Sequence, residues 1–257
     1  MSGPATLTKE EHAGSPGVQA RDQVDRDILI AMQKPSPKYW LWVAICFGFF
    51  LLGQAMFGRL MFKGFGLTGV SHPFNWSIYI VDFVFWVGIA HSGTLISAIL
   101  LLFRAKFRNR FNRQAEAMTC IAVLCAGMYP IIHLGRPWMN FFLFPYPTER
   151  QLWVNFRSPL TWDVFAVSTY LTVSMVFFYV GMIPDLAIAR KYSTGIRKSA
   201  YGILSLGWRG TDQQWKHYDK LCLYLAALAT PLVLSVHSVV SWDFAMSLLP
   251  GWHATIF

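Results

Sequence analysis

The chain has 257 residues, a formal net charge of +9, only 14% charged against 16% aromatic residues, and a positive mean hydropathy of +0.39. So little charge beside so much apolar side chain excludes an ordinary soluble domain or pair of domains. The basic excess suggests nucleic acid only until its positions are read: it clusters in loops between apolar runs, so no nucleic-acid partner is expected.

In chain order, Met1 to Lys38 is polar, with Gly and Pro, and has no apolar stretch beside a small-residue cleavage site. It reads as a partly ordered N-terminal arm (1–38) and not as a signal peptide. Residues 39–257 read as one transmembrane helical domain. Five runs lack a formal charge: 39–58, 83–103, 117–135, 164–184 and 221–242, each of 19–22 residues. A helix needs roughly 20 residues to cross the hydrocarbon core. The fold class expected is therefore all-α, a polytopic transmembrane helix bundle with spans at about 39–58, 76–103, 116–134, 162–184 and 221–242.

Span one opens on Tyr39, Trp40 and Trp42, an interfacial aromatic anchor. A loop with Gly64, Gly66 and Gly69 follows. Span two is longer than a bilayer requires, so tilt or projection is expected. It carries Asp82 near its outer end and His91 near its middle. Span three ends on His133, with Arg136 three residues on. The loop 135–160 holds four prolines and many aromatics and reads as an ordered surface packed on the membrane face or a partner. Asp163, preceded by Arg157, opens span four. The segment 185–220 is basic and long enough for a surface helix. Span five carries His237 and Asp243 towards its outer end. The last residues, His253 to Phe257, look like the start of a further apolar stretch, which suggests the N-terminal portion of a longer chain.

Seventeen of the 22 basic residues fall before span one, between spans two and three, or between spans four and five. The positive-inside rule then puts the N-terminus in the cytoplasm. The membrane expected is a bacterial inner membrane, one that transduces energy. Cys46, Cys120, Cys125 and Cys222 sit in or beside apolar spans with no Cys-x-x-Cys spacing, so they read as packing residues, not metal ligands.

Ionisable groups inside spans are costly and mark function by default. Asp82, His133, Arg136, Arg157, Asp163, His237 and Asp243 are expected to gather at the outer face, with only His91 elsewhere. Quinol oxidation suits such a set. The hydroxyls need hydrogen-bond partners at the bilayer edge, and a His beside a carboxylate can accept a proton. His133 and Asp163 are the expected catalytic pair, with Arg136 or Arg157 holding the carboxylate ionised. Asp82, His237 and Asp243 are further candidates for quinone binding. The plain alternative is that these residues meet headgroups and water. A b-type haem fits poorly, because His91 is expected at a different depth from His133 and His237, and no second pair exists. His91, Thr94 and Ser97 share one side of span two. They form either a proton path or a hydrogen-bonded packing seam.

These residues also carry a likeness. Trp76-Ser77-Ile78-Tyr79-Ile80, then Asp82 and Gly88-Ile89-Ala90-His91-Ser92-Gly93-Thr94, resemble the second span of the NrfD/PsrC family. So do Pro130-Ile131-Ile132-His133-Leu134-Gly135-Arg136-Pro137-Trp138 and Ser158-Pro159-Leu160-Thr161-Trp162-Asp163. The basic tail, the long second span and the Gly-Arg-Pro-Trp loop are most similar to the ActC-type subunits of bacterial alternative complex III. The resemblance implies oxidation of menaquinol or ubiquinol at an outer-face site using His133, Asp163 and Arg136, with no haem or metal on this chain. It implies a periplasmic iron–sulfur subunit of the molybdopterin-oxidoreductase type as electron acceptor, with cytochrome c subunits, other membrane subunits and lipids as neighbours. Family members usually have eight or ten spans, against five here. Two rival readings stand beside it: a passive membrane anchor for a peripheral oxidoreductase, and a transporter built around His91.

Overall fold

The computed structural model describes residues 16–30, 34–69, 77–144 and 159–247, and among these every regular element is a helix. They are α1 (Pro16–Ile30), α2 (Pro37–Lys63), α3 (Ile78–Leu102), α4 (Asn112–His133), α5 (Pro159–Tyr192), α6 (Gly195–Leu204) and α7 (Asp212–Ser247). Short 3-10 turns cover Phe65–Thr68, Lys106–Arg110 and Pro137–Leu143. Among the described residues five helices, α2, α3, α4, α5 and α7, are long and apolar enough to cross a membrane. The protein is thus a multi-pass helical membrane protein, as its uncharged runs require.

The helices outrun the expected spans. The fourth uncharged run stops at Pro184, yet α5 continues to Tyr192. The fifth covers 221–242, yet α7 runs from Asp212 to Ser247. Charge ends a hydrophobic run but not a helix, and a proline inside a membrane helix is tolerated where neighbours re-satisfy the backbone. Pro130, Pro184 and Pro231 all lie within helices. The basic segment 185–220 accordingly divides among the end of α5, the short α6 and the start of α7.

The chain forms two compact units. One combines residues up to Trp42 with Ile183–Arg209; the other combines Val43–Met182 with the chain from Gly210. In the first, the Tyr192 hydroxyl donates to Asp25 Oδ2 at 3.3 Å. Arg190 there donates to Ser205 Oγ at 3.2 Å and to the Trp208 carbonyl at 3.1 Å, closing the turn after α6.

The second unit holds the bundle core. Ala90, Ala122, Val123, Tyr170, Val233 and Val236 form its centre, drawn from α3, α4, α5 and α7. Small residues let α3 and α4 approach closely. A Cβ at Gly93 would collide with Thr119 Oγ1 and lie 2.8 Å from the Ala115 carbonyl. The helix α2 keeps an apolar surface exposed, with Leu60 its one buried residue. In lipid that exposure needs no cover, because the acyl chains are as apolar as leucine.

A wider π turn at Leu95–Ile99 interrupts α3. It accommodates part of the excess length of span two, and such turns often mark functional positions.

Candidate functional site

His133 is the last residue of α4. The helix stops there because Gly135 takes a left-handed φ of +67°, a glycine C-cap, and its N–H bonds the Ile132 carbonyl at 2.9 Å. A Cβ on Gly135 would sit 2.6 Å from Phe65 Cε2. The Phe65 ring in turn meets the His133 imidazole edge-on, centroids 5.5 Å apart. On the other side Ser77, the N-cap of α3, places its Oγ 3.4 Å from His133 Nδ1. The hydroxyl can donate or accept, so it supports either tautomer. When His133 Nδ1–H donates to Ser77, Nε2 keeps a free lone pair and can act as a base.

Asp163 lies on the first turn of α5 and is buried. It lines the same cavity as His133, of about 380 Å³, between α3, α4 and α5. Phe83, Val123, Leu124, Val167 and Leu171 make most of its wall apolar, while Asn140 and Ser168 add two further polar groups. This is the mixture expected of a small-molecule site: an apolar sleeve with a few polar groups to orient the ligand.

The remaining expected site residues separate. Arg136 is exposed and lines no part of this cavity. Asp82 lines a different cavity, of about 520 Å³, with Gln54, Tyr79 and Tyr129. Arg157 and the side chain of Asp243 lie outside the described residues.

His237 requires a correction. The sequence reading sets it near the outer end of span five, level with His133 and apart from His91. Instead its ring packs against His91, centroids 5.5 Å apart. His91 lies about four turns, roughly 21 Å, along α3 from Ser77 and hence from the His133 end. The cause is the extent of α7, which continues past Trp242 to Ser247 and so leaves His237 well inside the helix. The expected outer cluster therefore divides into His133 with Asp163, Asp82 in its own cavity, and His237 with His91.

His91, Thr94 and Ser97 are all buried, as their shared helix side suggests. Tyr170, which sequence reasoning missed, joins them. Its hydroxyl lies 2.6 Å from Thr94 Oγ1 and 2.8 Å from the Ala90 carbonyl. A signal exists: Tyr170 follows Asp163 by two helical turns, on the same side of α5. Beyond Ser97, Glu116 is 3% exposed and pairs with Arg108 at 3.8 Å and Arg113 at 3.5 Å. Arg108 also donates from Nε to the Ser97 carbonyl at 2.8 Å. Burial lowers the Arg108 pKa, against the upward pull of Glu116. Among the described residues, no group of three or more His, Cys, Asp or Glu is placed to hold a metal ion.

Known proteins resemble this chain along most of its length. A family model described as polysulphide reductase, NrfD, matches residues 66–257. A putative dimethyl sulfoxide reductase membrane subunit of Halobacterium salinarum is 25% identical over 204 residues, covering 79% of this chain and 43% of that one. A Hdr-like menaquinol oxidoreductase integral membrane subunit of Archaeoglobus fulgidus is 22% identical, covering 66% and 40% respectively. A selenate reductase subunit of Mesobacillus selenatarsenatis is 18% identical over 60% of this chain and 34% of its own. The chain thus spans less than half the length of these curated relatives.

Proposed function

The chain belongs to the polysulphide reductase NrfD family, and we propose that it is the quinol-oxidising membrane subunit of a respiratory oxidoreductase complex. The observation that carries this reading is the apolar cavity lined by both His133 and Asp163. The relative described as a menaquinol oxidoreductase subunit lends support, since it pairs this family with that substrate class.

The chemistry follows from the groups present. A quinol headgroup enters the cavity between α3, α4 and α5 while its isoprenoid tail remains in lipid. One hydroxyl donates to His133 Nε2, whose Nδ1–H is held by Ser77. The other donates to the Asp163 carboxylate. As quinol becomes quinone, two protons pass to these bases and two electrons leave. The electrons go to a redox group on a partner, an iron–sulfur subunit docked at the outer loops. The imidazolium and the carboxylic acid then release their protons to water at that face. The electrostatic partition of basic residues supports an N-terminus in the cytoplasm and release on the periplasmic side. Menaquinol and ubiquinol fit this chemistry equally. An alternative-complex-III-like assembly is the context we favour, because the basic arm and the Gly-Arg-Pro-Trp loop resemble its membrane subunits.

A photoreactive quinone analogue tests the reading in the purified complex. Crosslinks should map to α4 near His133 and to the start of α5, and excess quinol should compete them away. A passive anchor predicts no competed label on this chain. Competed labelling confined to the cavity around Asp82 would relocate the site.

A further inference from the structure

The short helix α6 connects two spans, and it turns its isoleucines outward. Ile196 and Ile203 are seven residues apart, so they stand on one stripe of the helix, roughly two turns from each other. Ile196 is 90% exposed and Ile203 76%. Ala200 shares that stripe and is exposed as well. The opposite side carries Tyr201 and Gly202, both half-buried, and a Cβ on Gly202 would lie 3.8 Å from Arg190 Cδ. A helix held on one side by its own unit should, in water, show polar residues on the other. This one shows an aliphatic stripe.

The turn after α6 adds an independent observation. Leu206 holds a left-handed φ of +47°. Glycine is the usual residue in that conformation after a helix, and for a bulky side chain such a backbone is an outlier. Strain of this kind persists only where the surroundings enforce it. Here they do: the Leu206 N–H donates to the Ile203 carbonyl at 3.1 Å, and Arg190 holds both Ser205 Oγ and the Trp208 carbonyl. The strained turn presents an aliphatic side chain that is 69% exposed. In water nothing offsets either the strain or the exposure. Among acyl chains, removal of the side chain from water offsets both.

Charge and position identify the surroundings. Residues 186–211 hold five basic residues and no acidic one. Arg197 and Lys198 of α6 are exposed, and among the described residues neither forms an ion pair. The same compact unit contains Tyr39, Trp40 and Trp42, the exposed aromatic anchor at the start of α2. Such aromatic belts sit at the level of the lipid headgroups. The core of a protein interface is depleted in lysine, whereas an anionic headgroup layer attracts it.

We propose that α6 is an interfacial helix that binds anionic phospholipid in the leaflet where α5 ends. Ile196, Ile203 and Leu206 enter the upper acyl region. Arg197 and Lys198 lay their aliphatic stems along the interface and bring their charges to the lipid phosphates. The connection between α5 and α7 is thereby held on the membrane. None of this depends on the quinol-oxidation reading.

The complex, reconstituted in vesicles of phosphatidylcholine with or without phosphatidylglycerol, tests both halves of the proposal. Insertion is read from spin labels in a background lacking the native cysteines. A label on Ile203→Cys should meet oxygen more readily than a water-soluble nickel chelate, and a label on Lys198→Cys should show the reverse. Equal chelate access at the two positions overturns insertion. A label at position 203 shielded from both reagents overturns it too, because a protein partner then covers the face. Lipid choice is read from a fluorophore at position 203, which brominated phosphatidylglycerol should quench in preference to brominated phosphatidylcholine. Arg197→Gln and Lys198→Gln should each reduce that preference by about fivefold. A preference unchanged in the double variant overturns the anionic-lipid assignment. Hydrogen exchange on the unsubstituted complex needs no label: amides 195–206 should exchange more slowly once phosphatidylglycerol is present, and identical exchange in both vesicles overturns the assignment as well.

Discussion

Replacing Asp163 by asparagine is the most direct test of the outer site. Asp163 is 7% exposed and lines a cavity of about 380 Å³. The amide is nearly the same size as the carboxylate, so the wall keeps its shape. What disappears is the negative charge and the oxygen that accepts a proton. Loss of a positioned general base costs on the order of 10²- to 10⁴-fold. The lower figure corresponds to about 2.7 kcal/mol of transition-state stabilisation. His133→Ala should cost a similar factor, because it removes the group that Ser77 and Phe65 hold in place. If the two residues serve one quinol, the double variant should be far less than multiplicatively worse, since each single change already breaks the shared step. The assay is quinol-dependent reduction of the electron acceptor by the purified complex, with every partner protein quantified to confirm assembly. Turnover within a few-fold of normal in an assembled Asp163→Asn complex refutes the assignment. So would fully multiplicative losses in the double variant, because the two residues would then act independently.

Two further outcomes are expected. Gly135→Ala forces a left-handed backbone on a residue with a Cβ and drives that Cβ into Phe65. Strain of about 1–3 kcal/mol should appear as lower thermal stability, with KM raised more than kcat is lowered as His133 shifts; an unchanged KM would separate the turn from the site. In a background lacking native cysteines, a cysteine at exposed Lys106 should resist an impermeant thiol reagent in intact cells, while one at exposed Trp138 reacts; the reverse pattern would invert the orientation.

Much of the fold was legible in the sequence because lipid leaves few options. A backbone without water must satisfy itself, so each uncharged run of 19–22 residues becomes a helix. The common side of His91, Thr94 and Ser97 was equally plain, since residues three apart on a helix are neighbours. The candidate pair His133 and Asp163 could be chosen by chemistry, and both do line one cavity. Tertiary structure alone decided the rest. His237 is five residues from the last apolar position of its run, yet it sits against His91 in the bundle interior. Glu116 looks in sequence like the charge that opens a span, yet it is buried beneath two arginines drawn inward. Asp82 and Asp163 share an expected place at the outer face, yet they line different cavities, with Met128 and Ile131 of α4 bordering both. Each of these depends on how far one helix slides along its neighbour and which way it turns. Periodicity records the faces of a single helix. Axial offset and rotation between helices are set by packing at places such as Gly93 and Gly181, where a missing Cβ lets another segment in.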